Sequence, residues 1–80
     1  MKDAELELVL YTAKEYDWAA VTNYNEEWHD LREILFTRGD TKVTWQGEDE
    51  VIYVDHSVYG ALYIRNDESD TILNVLKLIK

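Results

Sequence analysis

Between Thr41 and Asp67 three short runs rich in β-branched and aromatic residues are separated by turn-forming residues, which marks this stretch as β-structure. The runs cover about residues 41–46, 50–55 and 58–65. Gly47-Glu48-Asp49 makes the first turn, Asp55-His56-Ser57 the second, and Asn66-Asp67 begins the exit turn. A three-stranded antiparallel meander is the simplest product. Successive side chains on a strand point to opposite faces, so Val43, Trp45, Ile52, Val54, Leu62 and Ile64 belong on one face. Thr44, Val51, Tyr53, Tyr59, Ala61 and Tyr63 belong on the other. The first face should pack against helices. The tyrosine-bearing face is then either partly covered or a binding surface.

The flanks read less uniformly. In residues 3–13, Leu6, Val9, Leu10 and Ala13 fit a helical face, while Leu6, Leu8 and Leu10 fit one face of a strand. The Leu and Glu content favours the helix. Residues 14–24 read as irregular, with Tyr16, Trp18, Ala19, Ala20 and Val21 apolar enough to lie on the core. Residues 25–36 read as a helix. Asn25 is placed to cap it, and Glu26 and Glu27 fall in its first turn. Trp28, Leu31 and Leu35 fall at i, i+3 and i+7, with Ile34 beside that stripe and Glu26, Asp30 and Glu33 opposite. Gly39 then closes the helix in left-handed geometry. In residues 71–79, Ile72, Val75, Leu76 and Ile79 repeat a helical spacing behind Asp70, although Thr, Ile and Val would also suit a fourth strand. The fold class expected is α+β: a small single-layer antiparallel β-sheet of three to four strands packed by two or three helices, forming one domain over residues 1–80.

Charge narrows the class of partner. Acidic residues number 17 against 8 Lys and Arg, a formal net charge of -9. About two to eight charges is usual for a small domain. Such a chain repels nucleic acid and anionic membrane and attracts basic surfaces. Hydrophobic residues make up 46% and aromatics 12%, enough to fold despite the charge. There is no cysteine, which excludes disulfides, thiolate metal sites and cysteine nucleophiles. Met1-Lys2-Asp3-Ala4-Glu5 does not open a signal peptide, and no stretch approaches a membrane span. A cytoplasmic location, in its own or a host cell, is expected.

Catalytic and metal readings have little to stand on. His29 falls on the solvent side of the expected helix. Asp55-His56-Ser57 holds the residue types of a triad, but triads are assembled across a fold, and adjacent strand residues diverge. Asp67, Glu68 and Asp70 lack the spacing and central glycine of a calcium loop. Arg38, Lys42 and Arg65 are scattered, and no glycine-rich phosphate cradle occurs. No catalytic residue, metal site or cofactor is expected, and enzymatic activity is not.

Spaced carboxylates remain as the feature with a use. Duplex DNA carries about one negative charge per 1.7 Å of axis, or about one per 3.4 Å on a single strand. Glu26, Asp30 and Glu33 would repeat at about 6 Å on a helix face. Glu48 and Glu50 would stand at about 6.6 Å across a turn. Asp49, with Asp67, Glu68 and Asp70, adds charge at other loops. The plainer alternative is a set of ordinary solvated faces. Binding also needs anchors, and six Tyr and three Trp against one Phe favour amphipathic aromatics. Trp28 and Trp45 suit the core, whereas Trp18, Tyr53, Tyr59 and Tyr63 are candidates for a partner-binding surface.

The second half of the chain also carries a recognisable order of segments. Glu48-Asp49-Glu50 is an acidic turn, Val51 to Val54 an apolar strand, and Tyr59 to Arg65 an alternating strand led by an aromatic. Asn66-Asp67-Glu68 is a polar turn, and Ile72 to Ile79 an apolar tail. In this order the stretch resembles the end of the phage-encoded uracil-DNA glycosylase inhibitors, small acidic α/β proteins that copy DNA charge to block their enzyme. The resemblance covers under half of the chain and transfers no functional residue. It implies a phage or mobile-element inhibitor. The function expected is therefore an acidic protein-binding module that inhibits a nucleic-acid-binding protein or enzyme by imitating backbone charge. It would engage that partner's basic surface and touch neither nucleic acid nor membrane itself. The alternative is a structural or adaptor protein that forms a homodimer or a subunit contact.

Overall fold

The structure, a computed structural model, describes residues 2–27, 30–47, 50–65 and 70–79. Two helices pack on one face of a five-stranded antiparallel sheet. The order along the chain is α1 (Asp3–Glu15), β1 (Ala19–Tyr24), β2 (Leu31–Arg38), β3 (Thr41–Gln46), β4 (Val51–His56), β5 (Gly60–Arg65) and α2 (Asp70–Leu78). The strands lie side by side in sequence order, a plain meander. The α+β class is as the sequence implies, and the two end segments, which suit helix or strand by sequence, are both helices. The sheet is larger than expected, with five strands instead of three or four.

The additional strands come from residues 19–38. The segment expected to be a helix over 25–36 contains instead a turn and most of β2. The physical reason lies in Ile34-Leu35-Phe36-Thr37, a run of β-branched, leucine and aromatic residues that suits a pleated surface. Ile34 and Phe36 are both fully buried while Leu35 between them faces the other way. Pairing with β3 from Glu33↔Gln46 to Arg38↔Thr41 fixes that alternation. Trp28, the first member of the supposed helical stripe, lies outside the described residues together with His29. Gly39 does adopt left-handed geometry, at φ +61, but it opens the two-residue β2–β3 turn instead of closing a helix.

The step from α1 to β1 is also built on a left-handed residue. Asp17 has φ 63. Its N–H donates to the Lys14 carbonyl at 3.2 Å, and the Trp18 N–H donates to the Ala13 carbonyl at 2.8 Å. These two bonds close the helix as a Schellman turn, with Asp in the place glycine usually takes. Of the apolar group expected on the core in this region, only Trp18 is buried, while Tyr16, Ala19, Ala20 and Val21 are exposed.

The core lies between the helices and the inner sheet face. Val9 and Ala13 of α1 and Ile72, Val75 and Leu76 of α2 meet Ile34, Phe36, Val43, Trp45, Ile52 and Val54. The inner face expected for residues 43–64 is the observed one, with Val43↔Val54 and Trp45↔Ile52 paired across strands. Leu62 belongs to that face through its pairing with Val54, yet is 47% exposed, because the helices do not reach that part of β5. No helix among the described residues is long and apolar enough to cross a membrane.

Candidate functional site

Two surfaces are left by this architecture, one end of the meander and the outer face of the sheet. In a meander, alternate connections fall at the same end. The β1–β2 turn, the β3–β4 turn and the exit from β5 therefore share one end, while the β2–β3 and β4–β5 turns share the other.

The first end is acidic. Glu26, Glu27 and Asp30 sit in the β1–β2 turn, all exposed. Asn25 holds the turn with its backbone and its side chain: its N–H donates to the Asp30 carbonyl at 2.8 Å, and its Oδ1 accepts the Glu27 N–H at 2.9 Å. Glu50, exposed with φ 52, precedes β4, and Asp70 opens α2. Arg32 and Arg65 are the basic residues of the described strands at this end. Glu48, Asp49, Asp67 and Glu68 lie outside the described residues. At the opposite end, Lys14, Arg38 and Lys77 stand against Glu15, Asp17 and Asp40.

Glu26, Asp30 and Glu33 are not one face of a helix. The first two belong to a turn, and Glu33 lies on β2, where its carboxylate accepts a hydrogen bond from the Asn23 side-chain amide at 2.8 Å. Their proximity comes from the hairpin, and their spacing is not the 3.6-residue repeat on which the sequence argument rested.

The aromatic candidates separate into three environments. Trp18 is 4% exposed, its indole Nε1 donates to the Leu76 carbonyl at 3.0 Å, and the Arg38 guanidinium lies 4.1 Å above its ring. It is a core residue, which removes it from the partner-binding set. Tyr53 and Tyr63 pair across β4 and β5 on the outer face, with ring centroids 4.9 Å apart and planes at 78°. Tyr63 is 76% exposed. Tyr59 stands in the β4–β5 turn against the His56 ring at 4.7 Å, outside the alternation in which it was first placed.

His56 has a structural task in that turn. Its Nδ1 accepts the Val58 and Tyr59 backbone N–H groups at 3.0 and 3.2 Å, which ties the loop. Val58, Tyr59, Leu62 and Leu78 are all exposed and, with Val54, His56 and Ile79, line a groove of about 430 Å³ between β5 and the end of α2. A shallower depression of about 330 Å³ lies on the outer sheet face, between Lys42, Thr44, Tyr53, Asp55, Ala61 and Tyr63. Among the described residues no group of three or more His, Asp or Glu is placed to hold a metal ion. Tyr11, exposed on α1, has its phenol pKa raised above the usual value, chiefly by its hydrogen bond to Glu15 and by that carboxylate's charge, with slight burial adding to both.

The sequence reading missed the β1 and β2 contributions to the outer face. Its central cross-strand row runs Val21, Leu35, Thr44, Tyr53, Tyr63, with a row of Asn23, Glu33, Gln46, Val51 and Arg65 toward the acidic end. A third row, Ala19, Thr37, Lys42, Asp55 and Ala61, lies toward the opposite end. No clean alternation marks either strand in the sequence, and the strand-forming run Ile34-Leu35-Phe36-Thr37 is the signal it offers there. Compared with protein-family models, with curated proteins and with solved structures, the chain matches none of them.

Proposed function

We propose that this chain acts without catalysis, by presenting its acidic end to the basic surface of a nucleic-acid-binding protein or enzyme and so inhibiting it. The observation that carries this reading is the gathering of carboxylates at one end of the meander. Five strands at about 4.8 Å span roughly 24 Å. Glu26, Glu27, Asp30, Glu50 and Asp70 supply about one carboxylate per 5 Å of that width, with Arg32 and Arg65 at the same end. That is sparser than the roughly 3.4 Å charge spacing of one DNA strand but of the same order. Potential of that density draws in basic partners and sets their encounter rate.

The test uses host proteins first retained on double-stranded DNA and then offered to the immobilised chain. A subset should pass to the chain at low salt, lose DNA binding, and elute as salt is raised. The variant E26Q/E27Q/D30N/E50Q should retain at most about a tenth of that capture, a loss of the order expected when several charge contacts go together. Capture that is indifferent to salt and to these four substitutions, with DNA binding intact, would exclude the reading.

A further inference from the structure

The outer face of the sheet is balanced in charge, unlike the acidic end. The chain carries -9 overall, yet the outward strand positions hold Glu33, Lys42, Asp55 and Arg65, two of each sign. Between them runs the row Val21, Leu35, Thr44, Tyr53, Tyr63, with Val21 and Tyr63 56% and 76% exposed. A large basic partner would be met by the acidic end, not by this balanced face. The geometry points to a second copy of this chain as its occupant, packed sheet on sheet about a two-fold axis that runs along the strands between β3 and β4.

The registers select that axis. Rotation about it lays β3 over the partner's β4 and β2 over its β5. Rows are preserved, so Lys42 meets the partner's Asp55 and Glu33 meets the partner's Arg65, each contact occurring twice. In the central row Thr44 meets the partner's Tyr53, and Leu35 meets the partner's Tyr63. Every charge on the face opposes its opposite. A two-fold axis across the strands instead sets Glu33 over Thr37 and Lys42 over Gln46, and pairs no charges. Aligned sheets cross at about 30°, so correspondence is closest near the axis, where Lys42, Thr44, Tyr53 and Asp55 lie. Glu33 and Arg65 each already have an interaction within their own protomer, so the central contact carries the pairing: Lys42 and Asp55, cross-strand neighbours in one protomer, are both exposed.

The overlap of strands β2 to β5 measures roughly 19 by 20 Å, about 400 Å² per copy in projection. That is small for a specific interface, so the dimer is a weak, reversible one. The inference does not depend on the acidic-end reading. It adds to it, because an axis along the strands brings both acidic ends to the same side of the dimer, about 10 Å apart.

Sedimentation equilibrium of the full chain from about 1 to 500 µM decides the matter. The wild-type chain should show a reversible monomer–dimer equilibrium. K42D and D55K should each weaken it at least tenfold, because each opposes like charges at both central contacts. An equimolar mixture of the two should restore dimer, since the acidic position of one variant then faces the basic position of the other. Y63S should also weaken association, and the double variant K42D/D55K, which keeps every pairing, should associate as wild type does. A single variant that lost its fold would leave the double variant and Y63S to carry the test. A strict monomer throughout, or a dimer indifferent to K42D, D55K and Y63S, as pairing through the β1 edge would be, overturns the proposal.

Discussion

Arg38 ends β2, and its guanidinium reaches the ends of both helices. It donates to the Tyr16 carbonyl at 2.9 Å and to the Ile79 carbonyl, and lies over the Trp18 ring. Positive charge at two helix C-termini is favourable, because the last carbonyls of each helix carry partial negative charge. Trp18 completes the clasp by donating to the buried end of α2. A hydrogen bond to a charged group is worth about 1.5–3 kcal/mol, whereas the whole domain at 80 residues holds roughly 4–12 kcal/mol. Arg38→Met should therefore lower stability by about 2–3 kcal/mol in urea unfolding. Trp18→Phe keeps most of the ring and removes the donor to the Leu76 carbonyl, so about 1–2 kcal/mol is expected. Little of this was legible in advance. Trp18 stands in a segment with no clean period, its partner lies 58 residues away, and the left-handed residue that positions it is an Asp, not a Gly.

Strands β3 to β5 are legible in the sequence, the two end segments suit helix or strand, and β1 and β2 are not legible. Between Thr41 and Arg65 each run is bounded by turn residues and rich in β-branched and aromatic residues, so local preference and tertiary pairing agree. In residues 25–36 they conflict. The acidic residues after Asn25 imitate a capped helix start, and Leu31 and Leu35 happen to fall four apart. Two flanking strands, paired along nearly the whole of β2, override that preference. The helical reading buries Leu35 with Leu31, and the strand buries Ile34 and Phe36 and turns Leu35 outward. Phe36→Ala should therefore cost about 3–5 kcal/mol. Leu35→Thr, which keeps a strand-forming side chain on the outer face, should cost under about 1 kcal/mol in the monomer. Equilibrium unfolding of the two variants side by side gives the contrast, and equal losses would speak for a helix-like burial of Leu35.

At the scale of the molecule, the acidic end was legible as charge but not as a place. The composition shows the excess, and only the meander, by returning alternate turns to one end, shows where it gathers. That gathering has a thermodynamic consequence. The molecule is 37 Å in its longest dimension. At about 10 mM salt the screening length is roughly 30 Å, so nearly all of the carboxylates repel one another in the folded state. At about 0.1 M it is roughly 10 Å, and by 1 M roughly 3 Å, so only near neighbours remain coupled. Unfolding relieves the repulsion, and added salt should therefore favour the fold. Relief of about 1 kcal/mol raises the melting temperature of a domain this size by roughly 4–8 °C. Melts followed by circular dichroism at monomeric concentrations, between about 10 and 300 mM sodium chloride, should show a rise of that order. The distribution of charge then makes a sharper demand than the total. Neutralising the acidic end with E26Q/E27Q/D30N/E50Q should remove much of the salt dependence. Neutralising Asp17 and Asp40 with D17N/D40N, beside Lys14, Arg38 and Lys77, should leave most of it in place, by more than the difference of two charges in the number removed would give. If the dependence fell in proportion to the number of charges removed at either end, the repulsion would belong to the whole surface and the acidic end would have no electrostatic identity of its own.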